Sequence, residues 1–93
     1  MEEMKMQFVF DEKKLKANNI TVDEKLCTLR NYFKEHKIKE TSTGVFEGED
    51  SDFGYFALCV ADLPKAKWFM DYIKEWYWFL DGGYEDVLKG INS

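Results

Sequence analysis

Apolar and polar residues alternate along MKMQFVF, residues 4 to 10, with the two-residue period of a β-strand. One face of this strand is therefore expected to be buried and the other to be open. The apolar face consists of Met4, Met6, Phe8 and Phe10. The stretch that follows, DEKKLKANN, is polar and contains paired Asn residues, which is typical of a loop.

The apolar pattern changes to a helical period over residues 21 to 37, TVDEKLCTLRNYFKEHK. Thr21 and Glu24 have the spacing of a capping box, in which each side chain accepts a hydrogen bond from a free backbone N–H at the helix start. Acidic Asp23 near the start and basic Lys34 near the end suit the helix dipole. We predict a helix over this range. Its apolar stripe is formed by Val22, Leu26, Leu29 and Phe33.

The middle of the chain has weaker patterns. KIKETSTGVFEGED predicts a hairpin with a turn at Ser42–Gly44. The strands of this hairpin are expected at Ile38–Thr41 and Val45–Glu47. Residues 52 to 63, DFGYFALCVADL, combine an acidic start and Ala residues, which favour a helix, with Tyr, Phe and Val, which favour a strand. A helix is predicted there, and a strand over residues 53 to 61 is the alternative.

Pro64 removes a backbone donor and also suits the first turn of a helix, so a new helix is expected to continue through residues 65 to 75. WYWFLD, residues 76 to 81, then alternates as a strand. Trp76, Trp78 and Leu80 would share one face, and the intervening residues would share the other. Gly82–Gly83 supplies the backbone freedom to end this strand.

YEDVLK, residues 84 to 89, predicts a short final helix that ends at Gly90 as a C-cap. The predicted order is therefore β-α-β-β-α(α)-β-α in a single domain over residues 1 to 93, an α+β fold. The first expectation is the ferredoxin-like split βαβ arrangement, with the helices on one face of an antiparallel sheet. If residues 53 to 61 formed a strand instead, the middle would become a three-stranded meander, and only the α+β class would hold.

The net charge of −5 is unevenly distributed. Residues 1 to 46 carry nine Lys or Arg and eight Asp or Glu, a balance of +1, whereas residues 47 to 93 carry four Lys and ten Asp or Glu, a balance of −6. An acidic surface repels phosphate, so no nucleic-acid partner is expected. It suits a basic partner surface, or simply solvation. The chain lacks a secretory pattern in MEEMK and an apolar run of membrane-spanning length, so a cytoplasmic protein without a membrane partner is predicted.

Residues with the chemistry of catalysis or metal binding are few. His36 is the only histidine, and Cys27 and Cys59 are expected to be buried thiols without a disulfide. The acidic cluster Glu47–Asp52 lacks the turn glycine and final acid of an EF-hand. FGYFALCV, residues 53 to 60, departs from the RNA-binding RNP1 pattern at both stacking aromatics. No enzyme activity, metal or cofactor is predicted.

Eleven of the sixteen aromatic residues lie between Phe53 and Tyr84. Most must be core in so short a chain, but a strand with rings on both faces must have both faces covered. We expect one face, through Trp76 and Trp78 or through Tyr77 and Phe79, to contribute to a homodimer or partner interface. The candidate interaction residues are Trp76, Tyr77, Trp78, Phe79 and Tyr84. The alternative is that the C-terminal helix covers this face through Val87, Leu88 and Ile91.

These features favour a small non-enzymatic protein-interaction module, with a second copy or a basic protein surface as partner. The alternative class is a small-molecule binding protein or minor enzyme that uses a pocket near Cys59 or the acidic cluster Glu47–Asp52. Such a function requires a formed apolar pocket with convergent polar groups.

Three stretches, FVFDEKKLKANNITVDE, GVFEGEDSDFGYFALCV and WYWFLDGGYEDVL, together span most of the chain. In these stretches the chain looks like small uncharacterised proteins of Gram-positive bacteria that are often encoded on conjugative or phage-derived elements. The resemblance implies a compact accessory protein of a mobile element. It implies no activity and no functional residues.

Overall fold

Five antiparallel strands form one sheet in the computed structural model, which describes residues 3–34, 38–80 and 83–92. The strands are β1 (Glu3–Phe10), β2 (Lys39–Ser42), β3 (Val45–Glu49), β4 (Ile73–Leu80) and β5 (Gly83–Asp86). The helices are α1 (Glu12–Ala17), α2 (Val22–Lys34), α3 (Phe53–Asp62), α4 (Lys67–Met70) and α5 (Val87–Asn92). The α+β class predicted from the sequence is confirmed.

The strands lie in the order β2-β3-β1-β4-β5, with β1 at the centre. The segment β4-β1-β3-β2 has the strand order of the split βαβ arrangement, and β5 adds a strand beside β4. Each helix contributes a buried residue to one core on one face of the sheet. These residues are Leu15 of α1, Leu26 of α2, Phe56 of α3, Phe69 of α4 and Val87 of α5.

The core is built around Phe8 on the central strand. Its ring lies 5.6 Å from the ring of Trp76, centroid to centroid, and nearly parallel to it. The rings of Phe33, Phe46 and Phe69 lie 5.8 to 6.1 Å from Phe8 at steeper angles. The predicted apolar face of β1 is confirmed, because all four of its residues are buried. Those residues are Met4, Met6, Phe8 and Phe10.

Helix α2 begins where the capping pattern predicts. The Thr21 hydroxyl accepts a hydrogen bond of 3.1 Å from the backbone N–H of Glu24, the Thr half of the predicted box. Of the predicted stripe, Leu26, Leu29 and Phe33 are buried and Val22 is half-buried. Residues 35 to 37 of the predicted helix lie outside the described residues.

The loop predicted after β1 is wrong, because residues 12 to 17 form helix α1. The Asp11 carboxylate accepts hydrogen bonds from the backbone N–H groups of Lys13 and Lys14, and this N-cap starts the helix. Leu15 is the buried residue that anchors it to the core. With one buried residue among its six, this segment has no apolar periodicity from which a helix could be predicted.

The helix predicted over residues 52 to 63 is confirmed as α3, so the meander alternative is wrong. The predicted continuation through residue 75 is also wrong. A short 3-10 turn at Leu63–Lys65 contains Pro64, and α4 ends at Met70. Strand β4 already begins at Ile73, because pairing with β1 recruits the residues before Trp76.

The predicted final helix starts too early and ends too soon. Residues 84 to 86 belong to strand β5, since β4 offers them an open edge for pairing. Helix α5 starts at Val87, after Asp86, whose carboxylate accepts a hydrogen bond of 3.2 Å from the Lys89 N–H. Gly90 lies inside this helix and is not a C-cap. Residues 81 and 82, where we predicted the end of the strand, lie outside the described residues.

The predicted hairpin is confirmed: β2 lies one residue later than predicted, and β3 starts at Val45 as predicted and runs two residues further. Its turn contains Gly44 at a φ of +77°, a conformation that favours glycine. The Gly44 carbonyl accepts a hydrogen bond of 2.8 Å from the Phe8 N–H, which ties the turn to the central strand. A Cβ atom at this position would lie 2.5 Å from the Phe8 carbonyl oxygen.

Gly44→Ala is therefore expected to lower the free energy of unfolding by at least about 2 kcal/mol, from backbone strain and the clash together. Chemical denaturation measures this change. The matched control is Gly54→Ala in α3, where an added Cβ meets nothing within 4 Å and stability should hold or rise. Equal stability of Gly44→Ala and wild type would contradict this account of the turn.

An ion pair joins this hairpin to α2. The Arg30 guanidinium donates hydrogen bonds to both oxygens of the Glu40 carboxylate and one of 2.9 Å to Asp23. Glu40 also accepts a hydrogen bond of 3.0 Å from the Gly44 N–H. Desolvation acts to raise the pKa of the Glu40 carboxyl, but the hydrogen bonds from Arg30 and Gly44 lower it below the ordinary glutamate value.

Glu40→Gln is expected to lower the free energy of unfolding at neutral pH by about 1 kcal/mol, because it removes the charge that Arg30 pairs with. A lowered folded-state pKa stabilises the fold above the ordinary glutamate pKa, and this stabilisation is lost as the pH falls through the lowered value. The difference between wild type and variant should therefore shrink in acid. Denaturation at a series of pH values tests this, and a difference independent of pH would refute it.

Candidate functional site

The face of the sheet opposite the helices is open among the described residues. Because side chains alternate along β1, Lys5 and Gln7 point to this face while their neighbours point to the core. Strand register places side chains of different strands in rows across it. One row runs through Lys39, Glu47, Lys5, Phe79 and Tyr84, in that order from β2 to β5.

Three aromatic residues on β4 and β5, Tyr77, Phe79 and Tyr84, form a contiguous group on this face, here called the ring trio. The Tyr77 and Tyr84 rings are nearly perpendicular with centroids 5.7 Å apart, and Phe79 lies 5.8 Å from Tyr84 and 6.4 Å from Tyr77. Tyr84 is 67% exposed, and the other two are half-buried. With Gln7 they line a depression of about 220 Å³.

Charged groups surround the ring trio. The Tyr77 hydroxyl donates a hydrogen bond of 2.9 Å to the Glu75 carboxylate, and Asp86 lies opposite Tyr77 in the strand register. This hydrogen bond, with desolvation and the nearby carboxylates, raises the pKa of the Tyr77 phenol. The Lys5 ammonium lies over the Phe79 ring, 5.3 Å from its centroid. The rings therefore lie between the Lys5 ammonium on one side and the carboxylates of Glu75 and Asp86 on the other.

Of the two ring-bearing faces of the strand at residues 76 to 80, the structure buries the tryptophan face. Trp76 is 0% and Trp78 is 6% exposed, and both belong to the core. Among the described residues, neither buried indole N–H has a hydrogen-bond acceptor. Buried side chains have no surface to offer a partner, so these two residues leave the candidate set, whereas Tyr77, Phe79 and Tyr84 stay in it.

The C-terminal helix does not cover the ring trio. Val87 of α5 is buried in the same core as Trp76 and Trp78, so the helix packs on the opposite side of the sheet from the trio. Leu88 is half-buried against this core, and Ile91 is 37% exposed. The alternative, that this helix covers a ring-bearing face of the strand, therefore holds for the tryptophan face and is wrong for the outward rings.

The acidic cluster Glu47–Asp52 does not converge on one point. Glu47 lies on the open face and accepts a hydrogen bond from the Thr41 hydroxyl. Asp52 lies on the helix side, where its carboxylate accepts a hydrogen bond of 2.8 Å from the Glu49 N–H and would meet a Cβ added at Gly48. No group of residues with metal-binding spacing occurs in the ranges that the structure describes.

The two thiols differ in environment. Cys59 is fully buried, and desolvation together with the nearby Asp62 carboxylate raises its pKa well above the ordinary value, so the thiol is protonated at neutral pH. Cys27 is exposed, which corrects the prediction that both are buried, and neither forms a disulfide. His36 lies outside the described residues.

Sequence reasoning missed residues on both sides of the molecule. Gln7 and Lys5 lie beside the ring trio because β1 pairs with β4. The alternation of polar and apolar residues in MKMQFVF places both on the outward face, but it does not show which strand lies next to them. On the helix side, Phe53, Tyr55 and Leu58 of α3 are 42% to 49% exposed. Residues 53 to 60 are helical, so their partial match to RNP1 has no strand on which to act.

No family model, curated protein or solved structure matches this chain. Within the described ranges, no helix has both the length and the apolar character required to span a membrane.

The hydrogen bond between Tyr77 and Glu75 predicts a measurable titration. Glu75→Ala should lower the pKa of the Tyr77 phenol toward its ordinary value, because both the acceptor and the nearest negative charge are removed. Titration of the tyrosine ring resonances by NMR measures this change. Glu85→Ala is the control, since Glu85 pairs with Trp78 on the other face. An unchanged Tyr77 titration in Glu75→Ala would show that the contact does not form in solution.

Proposed function

We propose that this protein is a small non-enzymatic interaction module that binds a basic surface of another protein through the open face of its sheet. The ring trio, Tyr77, Phe79 and Tyr84, forms the centre of this surface. The observation that carries the proposal is that these rings lie together on the side opposite the core. Cytoplasmic location and a mobile-element setting stay predictions.

The ring trio is a contiguous group of one exposed and two half-buried rings, and such a group supports an interaction role. The core on the helix side is filled by Trp76, Trp78 and the phenylalanines around Phe8, so the fold does not require the ring trio for its interior. Tyrosine is enriched among the residues that contribute most to binding energy, and a clustered aromatic patch commonly marks an interface. A partner that covers the trio would remove apolar ring surface from water.

The charges favour a basic protein over a nucleic acid. Glu75 and Asp86 lie beside the ring trio, and the half of the chain that carries it has a balance of −6. Phosphate would be repelled by these carboxylates. RNA-binding sheets stack bases on aromatic side chains, whereas the side chains that the structure describes on this face of β1 and β3 are not aromatic: Lys5, Gln7, Val9, Val45, Glu47 and Glu49.

The alternative class, a small-molecule binder or minor enzyme, gains no support from the residues proposed for it. Cys59 is protonated and enclosed in the core, so it is a poor nucleophile. The carboxylates of Glu47 and Asp52 lie on different sides of the sheet and do not form an acid–base pair.

Photo-crosslinking in the native host tests the proposal. A photoreactive residue at Gln7, inside the depression, should form an adduct with a protein that exposes a basic surface. The same residue at Lys16, on the exposed side of α1, should not form this adduct. Phe79→Ser combined with Tyr84→Ser should weaken binding of the purified partner at least about tenfold, and binding should weaken as salt increases.

Two controls make this result specific. Tyr55→Ser combined with Leu58→Ser removes exposed apolar surface from α3 on the other side of the molecule and should leave binding unchanged. Circular dichroism should show that both double variants remain folded at the temperature of the binding assay, although loss of the ring contacts should lower the melting temperature of the Phe79/Tyr84 variant. Adducts with RNA alone, adducts with a second copy of this chain alone, or an adduct that survives in the Phe79/Tyr84 variant would each overturn the proposal.

A further inference from the structure

The ring trio has the chemistry of a cation receptor. We infer that it binds the guanidinium group of an arginine side chain on the partner surface, an inference that rests on the proposed function. Aromatic ring faces carry the negative part of the quadrupole, so a cation over such a face is attracted. The perpendicular rings of Tyr77 and Tyr84 let one ring present its face while the other forms a wall.

This chain already places a cation against the trio. The Lys5 ammonium lies 5.3 Å from the Phe79 centroid, inside the distance of about 6 Å at which the attraction is significant. Lys5 is exposed and lies across the register from Phe79. It lies over Phe79, whereas Tyr84 is 67% exposed and offers ring surface to a group that enters from solvent.

Acceptors at the rim select a donor with several N–H groups. Glu75 already holds the Tyr77 hydroxyl, and its carboxylate has further lone pairs. Asp86 lies opposite Tyr77, and the Gln7 amide lines the depression. A planar guanidinium can stack on a ring and donate N–H groups to these oxygens at once, which a compact ammonium does less well.

The charges around the depression disfavour an anionic or a neutral ligand. An anionic group in the depression would meet Glu75 and Asp86 with Lys5 as the cation at hand, and a neutral apolar group would leave the rim acceptors without new donors. A cationic group alone satisfies both the ring faces and the carboxylates. Four of the described side chains line this volume of about 220 Å³, a size that suits the end group of a side chain.

The experiment titrates the full chain, carrying isotope-labelled aromatic rings, with the peptide acetyl-Gly-Arg-Gly-Arg-Gly-amide at low salt. The ring resonances of Tyr77, Phe79 and Tyr84 should shift together. The same peptide with citrulline in place of arginine keeps the shape and removes the charge, and it should cause no comparable shift. Equal shifts with both peptides, or none with either, would overturn the inference.

Variants separate ring chemistry from apolar area. Phe79→Leu and Tyr84→Leu keep an apolar side chain and remove the ring face, so each should weaken binding of the arginine peptide roughly two- to fivefold. Lys5→Met should strengthen binding, because it removes the resident cation from Phe79. Tyr55→Leu on α3 is the matched control and should bind as wild type does. Wild-type affinity in both trio variants would refute a cation receptor.

The experiments distinguish failure of the arginine inference from failure of the proposed interaction module. If the Leu variants keep both the peptide and the partner while the Ser double variant loses the partner, the trio acts through apolar area, and the arginine inference fails alone. If the Ser double variant keeps the partner cross-link, the interaction module itself fails.

Discussion

The packing of Phe8 against four other rings is the constraint on which the rest of the structure depends. Those rings come from α2, β3, α4 and β4, so one side chain on the central strand connects the sheet to the helix layer. Aromatic pairs of this kind contribute about 0.5–1.5 kcal/mol each beyond their buried area. Pairing Phe8 with Trp76 also sets the register of β4, and a slip of one residue would exchange its two faces. Burial of Trp76 and Trp78 therefore requires that Tyr77 and Phe79 point outward.

The helices and strands that could be predicted are those whose own residues show the apolar alternation of a strand or the apolar stripe and cap of a helix. Strand β1 alternates without interruption, and α2 has both a capping residue and a stripe, so local sequence determined each of them. Helix α1 has one buried residue, and β5 has no apolar alternation at all, because its pairing is offered by the edge of β4. For a related reason, local sequence could not show which face of residues 76 to 80 is buried. Both faces carry rings, and only contact with β1, about seventy residues earlier in the chain, decides between them.

In the candidate site, too, some features could be predicted from the sequence and others depend on strand pairing. Tyr77, Phe79 and Tyr84 could be named from the sequence, because an excess of aromatic residues over available core is visible in composition. That these rings lie beside Gln7 and Lys5 could not be predicted, because this proximity arises from the order of the strands. Charge behaves similarly: the acidic balance of the second half is a property of sequence, whereas the placement of Glu75 and Asp86 beside the rings is a property of register.

The position of Lys5 connects the stability of this face with its proposed use. It lies between Glu47 on β3 and Phe79 on β4, both of which favour a positive charge. While the face is free, the ammonium covers part of the Phe79 ring, and the three rings cover parts of one another. If a partner arginine also takes the Phe79 ring, as a receptor built from all three rings would allow, the Lys5 ammonium would still lie across the strand pair from Glu47. On the proposed function, one cation would thus cover part of a ring in the free chain and have a carboxylate across the strand pair in the complex.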